Sequence, residues 1–317
     1  MILKAPFPYF GGKRSVAGKV WSALGDPKRY IEPFFGSGAV LLNRPKTSHE
    51  PVWEIVNDKD GFVANAWRSI QLSPDETAKW CDWPVNHADL MARRAELLRN
   101  EERLLDNLIA DPTWHDPIIG GYWIWAASCW IASGLTASGA EPKLGKSNGV
   151  NAARCKVPRL TANSGVVHRL DIYQCFADLS ARLRNVKVVC GDWSRVCGGS
   201  WQALSGQIRI LCGMFFDPPY GVEDRDTSVY HHDGTTVAGD VMEWVRERGA
   251  SPDFRIVLAG YEEYADLVEN HGWWSDGWNA RGGYANQGKG QGKENAKRET
   301  LYFSPHCIKQ PKNATLF

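Results

Sequence analysis

No apolar run in this 317-residue chain approaches the ~18 residues that a membrane-spanning helix needs, so a membrane partner is not expected. The opening stretch, MILKAPFPYF, lacks the long apolar core and small-residue cleavage site of a secretory leader. The eight cysteines (81, 129, 155, 175, 190, 197, 212 and 307) contain no CxxC pair and no regular spacing. That argues against a zinc site and against a disulfide framework, and favours reduced thiols in a cytoplasmic compartment. Strong charge of either sign is missing too, the net charge being +1, so the total does not announce a nucleic-acid partner. No internal repeat is present.

The composition is otherwise that of an ordinary soluble globular protein, with 43% hydrophobic and 23% charged residues. Length alone allows one large domain or two. Short β-like runs end in polar or glycine-rich corners: Tyr30 to Glu32, Val52 to Val56, Val186 to Cys190, Ile208 to Phe216, Phe254 to Ala259 and Thr300 to Ser304. Helical patterns alternate with them, at Ser15 to Leu24, Gly61 to Ile70 and Ile172 to Leu183. This alternation predicts an α/β domain with a largely parallel sheet, whose ligand crevice lies at the carboxyl ends of the strands.

Residues 73–170 read differently and predict a mostly helical insertion between two halves of that domain, 1–72 and 171–317. A helix is expected from Leu90 to Ile109, with Met91, Leu98, Leu105 and Leu108 on one face. Trp123, Trp125 and Trp130 follow in an apolar run with no charge interleaved, which favours core over a base-stacking platform. Pro142 to Leu170 then holds six Lys or Arg and no acid, with Arg154, Lys156 and Arg159 at its centre. A second basic stretch carries Lys289, Lys293 and Lys297 in a Gly, Asn and Gln background. One such run is usually a solvated loop; two glycine-rich ones point to phosphate contacts.

Four short stretches carry the chemistry. In PYFGGKRS a phosphate loop would need a glycine where Phe7 stands and Ser or Thr where Arg14 stands, so that reading fails. In IEPFFGSGAVLL a dinucleotide fingerprint would need a third glycine where Leu41 stands, and it fails as well. What remains is a glycine turn opening a helix, with room for a ligand against the backbone. Asp58 ends the next strand, where an acid can accept from ribose hydroxyls or can simply cap a helix. The fourth stretch, FFDPPYG, ends an apolar strand with two prolines that cannot continue a ladder. Asp217 should stay in line with the strand, at a stiff corner.

Taken together these motifs resemble the adenine-specific DNA methyltransferases of the Dam type, which use S-adenosylmethionine. Tyr9 to Lys13 matches the family's aromatic-x-Gly-Gly-Lys, and Phe34 to Gly38 its Phe-x-Gly-x-Gly. Asp58 matches the acid after the second strand, and Asp217 to Tyr220 the Asp-Pro-Pro-Tyr motif. The resemblance covers residues 1 to about 70 and about 172 to 304. It implies a class I, Rossmann-like methyltransferase sheet, mostly parallel, with residues 73–170 as a target-recognition insertion.

It further implies a cofactor site of Tyr9, Phe10, Gly11, Gly12, Lys13, Glu32, Phe34, Gly36, Gly38, Asp58 and Asp217. Asp192 and Trp193 are candidates for the adenine ring, a plain strand-end turn being the equal alternative. Asp217, Pro218, Pro219 and Tyr220 would be catalytic, and Arg154, Lys156, Arg159, Lys289 and Lys293 would touch DNA. The partner is then double-stranded DNA, with no metal; oligomeric state stays open, a monomer on DNA included. A bacterial or phage-encoded protein of restriction, self-protection or regulation would fit. Amino methylation of cytosine uses the same geometry and is the first alternative; a non-catalytic, cofactor-dependent DNA-binding regulator is the second.

Overall fold

The computed structural model describes residues 3–9, 11–50, 52–84, 86–130, 135–136, 159–161, 164–167, 172–198, 210–219, 235–278 and 299–309. The strands are β1 (Arg29–Glu32), β2 (Trp53–Asp58), β3 (Arg159–Thr161), β4 (Ser164–Val167), β5 (Val186–Cys190), β6 (Cys212–Phe216), β7 (Phe254–Gly260), β8 (Trp274–Gly277) and β9 (Thr300–Phe303). The helices are α1 (Ala17–Leu24), α2 (Ala39–Leu42), α3 (Gly61–Leu72), α4 (Pro74–Cys81), α5 (His87–Ala110), α6 (Pro117–Cys129), α7 (Ile172–Leu183), α8 (Ser194–Cys197), α9 (Thr235–Gly249) and α10 (Ala265–Asn270). Among the described residues seven strands form one sheet in the order β5-β2-β1-β6-β7-β9-β8, and β3 pairs with β4 separately. The pairs β1–β2, β1–β6 and β6–β7 are parallel, while β9 runs antiparallel to β7 and β8. The expected mixed α/β class with a mostly parallel sheet is what the chain adopts.

The chain divides into two compact units. One draws its described residues from 1–9 and 57–192, the other from 10–56, 193–223 and 234–317. In the first, α3 is buried from Phe62 to Ile70, because α4, α5, α6, α7 and β5 all pack on it. Asp60 starts this helix by accepting from the N–H groups of Phe62 and Val63. Helix α6 approaches closely through a glycine pair. A Cβ on Gly120 would lie 2.8 Å from Ser69 Oγ, and one on Gly121 2.5 Å from Trp80 Cβ. Trp123 and Trp125 are buried, as the uncharged run predicts, and Phe7 packs against both Trp67 and Trp123.

Helix α5 forms, but its buried face is not the expected one. Leu90, Leu97, Leu104 and Leu108 are buried, whereas Met91, Leu98 and Leu105 are only half covered. The leucine doublets at 97–98 and 104–105 make two overlapping stripes, and periodicity alone does not choose between them. Tertiary partners decide: Arg94 donates to Leu135 O, and Arg93 donates to Trp80 O with its guanidinium over Trp83, Tyr122 and Trp125. Both arginines belong to the same buried face as Leu90 and Leu97.

In the second unit the central strands β1 and β6 are buried at every position. A strand covered on both faces reads as a continuous apolar run, which is what Cys212 to Phe216 provides. Strand β6 starts at Cys212 rather than Ile208; Ile210 and Leu211 precede the ladder, and 208–209 lie outside the described residues. The loop before β2 is fixed by Arg44, which donates to Glu54, Asp26 and Pro27 O, and by Asp26, which accepts from Thr47 and Ser48.

Arg68, on α3 and fully buried, is the main tie within the first unit. It donates to Val188 O at 3.0 Å and to Leu108, Asp111 and Trp114 O at 3.1, 2.9 and 3.1 Å. Replacing it with an apolar chain of similar length takes this donor from Val188, Leu108 and Trp114 O, while Asp111 O keeps the Trp114 N–H. Arg68→Met is therefore expected to cost at least about 3 kcal/mol of stability, since each buried unsatisfied group costs about 1–3 kcal/mol. Urea unfolding of variant and wild type measures this.

Candidate active site

The site forms at one edge of the sheet because parallel strands finish there together. Ile31 of β1 is paired with Met214 of β6, and Phe216 of β6 with Leu258 of β7. Glu32 and Asp217 therefore leave neighbouring strands on the same side. Pro218 and Pro219 offer no N–H, so the ladder stops at Phe216 and Asp217 begins the corner. Strand β9 starts at this edge as well, Thr300 being opposite Gly260, and that brings in Glu299.

Lys13 reaches this edge from a 3₁₀ turn, Lys13–Ser15, that follows Gly11 and Gly12. Its ammonium lies 3.0 Å from Asp217 Oδ1 and 3.9 Å from Glu299 Oε2, and it donates to Gly11 O at 2.9 Å. The Lys13 side chain is 4% exposed and that of Glu299 10%. At an effective dielectric of ~20, charges ~4 Å apart attract by roughly 4 kcal/mol, so a cation this deeply buried interacts with both carboxylates.

Glu32 is treated differently. It is fully buried and accepts from Tyr30 OH at 2.8 Å, the two side chains lying on the same face of β1 two residues apart. Burial pushes its carboxyl well above the ordinary range; the Tyr30 hydroxyl opposes that shift and the nearby Asp217 charge adds to it. Within this edge Asp217 and Glu299 flank a cation, while Glu32 is held toward its neutral form.

After β1 the chain makes a tight turn through Gly36 and Gly38, with φ of 47° and 61°, in the left-handed region that favours glycine. Gly38 leads directly into α2. Phe34, half-buried, lies beside Trp193 with ring centroids 6.3 Å apart and planes at 27°. Phe216 and Trp244 of α9 complete an aromatic cluster, Phe216 being 5.4 Å from Trp244 and 6.2 Å from Trp193.

In the other unit Asp58 is buried at the end of β2. Its Oδ1 accepts from Asp60 N at 2.9 Å, and its carbonyl accepts from Gly191 N. Asn57 donates to Gly191 O, so the ends of β2 and β5 are tied together, and Asp192 directly follows Gly191. The helix cap is Asp60, not Asp58. Tyr9 is half-buried and Asp192 exposed, both also in this unit.

Lys13, Glu32, Phe34, Gly36, Gly38, Trp193, Asp217, Pro218 and Pro219 thus fall in one unit, with Gly11 and Gly12 exposed beside Lys13. Phe10, Tyr220, Arg154, Lys156, Lys289 and Lys293 lie outside the described residues, and Arg159 is described by its backbone in β3 alone. Sequence reasoning missed Glu299, Trp244 and Tyr264. Tyr264 is buried, and its hydroxyl has no hydrogen-bond partner among the described residues. Burial raises its pKa, with the charges of Glu263 and Asp217 adding to the shift. Only the Thr-Leu-Tyr-Phe run directly after it hinted that Glu299 would sit at a strand start. Among the described residues no group of three or more His, Cys, Asp or Glu is arranged to hold a metal ion, and no helix is long and apolar enough to cross a membrane.

Residues 9–107 match the family described as D12 class N6 adenine-specific DNA methyltransferase. The match covers 99 of the 317 residues and supports adenine-specific DNA methylation. The matched segment contains Lys13, Glu32, the glycine turn and Asp58, while Asp217 and Glu299 lie beyond it. No curated protein matches the chain.

The raised pKa of Glu32 gives the protein a pH signature. Below the unfolded value near ~4.3 the carboxyl is neutral in both states and folding carries no penalty. As pH rises toward the folded value, ionisation favours the unfolded chain and stability falls. Glu32→Gln lacks this linkage, so its melting temperature relative to wild type is expected to climb between pH 5 and pH 8. A pH series of thermal melts reads the difference, and a constant offset would contradict it.

Proposed function

We propose that this protein is an adenine-specific DNA methyltransferase, which takes its methyl group from S-adenosylmethionine and places it on the exocyclic nitrogen of an adenine turned out of duplex DNA. The observation that carries this reading is Asp217: a carboxylate at the stiff end of a buried strand, with its carbonyl-bearing prolines directly after it. Adenine's amine is a poor nucleophile because its lone pair is delocalised into the ring. Acceptors on its two N–H groups, the Asp217 carboxylate and the Pro218 carbonyl, favour the form with the lone pair held out of the plane. Positive charge grows on the nitrogen as it is methylated, so both hydrogen bonds strengthen toward the transition state. The fixed φ of proline keeps the carbonyl aimed without an ordering cost. Tyr220 stacks on the base, which cannot be reached inside the duplex. The amine loses its proton only after the methyl is in place.

The residues present suit the donor. The turn at Gly36 and Gly38 puts no side chain of its own at either left-handed position, and the half-buried Phe34 beside Trp193 offers an aromatic wall. Bound, S-adenosylmethionine supplies a methyl on a sulfonium. Tyr9, Phe10, Gly11, Gly12 and Lys13 hold its methionine end, Glu32 and the glycine turn its floor, and Asp58 its ribose hydroxyls. Asp192 and Trp193 take the adenine. Residues 73–170 act as the target-recognition part, and Arg154, Lys156, Arg159, Lys289 and Lys293 contact phosphates.

Asp217→Ala is expected to lower turnover by ~10²–10³, as loss of a transition-state hydrogen bond does, while donor affinity changes little. Methyl incorporation into unmethylated bacterial DNA measures it, and a variant keeping more than about a tenth of the rate would sink the assignment.

For Asp58→Ala the split runs the other way. Its Kd for S-adenosylmethionine should rise at least ~10-fold while turnover at saturating donor falls less, because a ribose contact is made equally in ground and transition states. Unchanged calorimetric affinity would leave Asp58 with only its turn-forming role.

A further inference from the structure

We propose that Glu299 is a positioning residue for methyl transfer: it gives Lys13 a second carboxylate, so that the ammonium can leave Asp217 as the target amine arrives. The inference rests on the reading that Asp217 accepts from that amine.

The difficulty it resolves is visible in the distances. Asp217 Oδ1 already has the Lys13 ammonium 3.0 Å away, and an incoming N–H must compete with a full positive charge for it. Lys13 is 4% exposed and cannot swing into water to make room. A charge that cannot be solvated stays with whatever anion is nearest. Glu299 Oε2, 3.9 Å from the same nitrogen, is that alternative. Attraction falls as the inverse of distance, so the two carboxylates differ in pull by only about 1.3-fold, and a short displacement reverses their order. Gly11 O, 2.9 Å from the ammonium, tethers it to its own turn, which favours a small shift over departure.

Glu299 is also well placed to stay still while Lys13 moves. It directly precedes β9, whose Thr300 is in register with Gly260 at the end of β7, and it is itself buried.

The test is a double-mutant cycle of single-turnover methylation, with donor and unmethylated bacterial DNA both saturating. Glu299→Gln keeps the shape and removes the charge; it should slow the chemical step at least ~10-fold with donor affinity within about threefold. Glu299→Asp, which retains the charge, should recover most of the rate. In a Lys13→Gln background, where there is no ammonium to draw away, Glu299→Gln should cost less than about twofold. Equal costs in both backgrounds, or a wild-type rate for Glu299→Gln, would overturn the proposal. Should Glu299→Gln fail to fold by thermal melting, Glu299→Asp replaces it in the cycle, and its smaller loss should likewise vanish without Lys13. If Asp217→Ala retains turnover, the underlying reading of Asp217 fails; if Asp217→Ala is inactive but the cycle is additive, the role of Glu299 alone fails.

Discussion

A parallel ladder makes strands from distant parts of a chain finish on one edge, and the functional arrangement here follows from that. The pairing of β1 with both β2 and β6, and of β6 with β7, sets Glu32, Asp217 and Gly260 at neighbouring strand ends. These strands are buried almost throughout, and the acids Glu32 and Asp217 come at the carboxyl ends of β1 and β6. The prolines after Asp217 make that stop abrupt, since neither can donate to the next strand.

Such an edge gathers carboxylates, and each must be accommodated out of water. The protein uses two solutions at this edge. Asp217 and Glu299 share the ammonium of Lys13, whereas Glu32 has a phenol beside it and is held toward its protonated form. The first balances carboxylates with a shared cation; the second relieves a carboxyl of its charge. A buried charge with one partner is rigid, and one with two partners of similar pull can move at small cost.

Much of this was legible in the sequence where local rules decide. Val186 to Cys190 and Ile172 to Leu183 form within the limits their patterns give, because turn residues and apolar periodicity agree there. The corner at Asp217 was legible because proline geometry is local. The face of α5 was not: the leucine doublets allow two registers, and only the packing of Arg93 and Arg94 selects one. Asp58 was weighed as a helix cap, yet Asp60, two residues later, has the capping geometry. Glu299 and Trp244 were hidden for a different reason. Nothing next to them in sequence shows that β9 returns antiparallel to β7, or that α9 lays an indole against Phe216.

The four carbonyls gathered by Arg68 have a bearing on how the polypeptide is made. Three of its acceptors lie within 46 residues downstream, but the fourth, Val188, is 120 residues away. On a ribosome, α3 emerges long before β5 exists. For that interval the guanidinium can close against Leu108, Asp111 and Trp114 while its Nε has no strand to reach. The nascent helical layer is thus stitched on one side and open on the other, and the arginine that later locks the fold first marks the seam where it is incomplete.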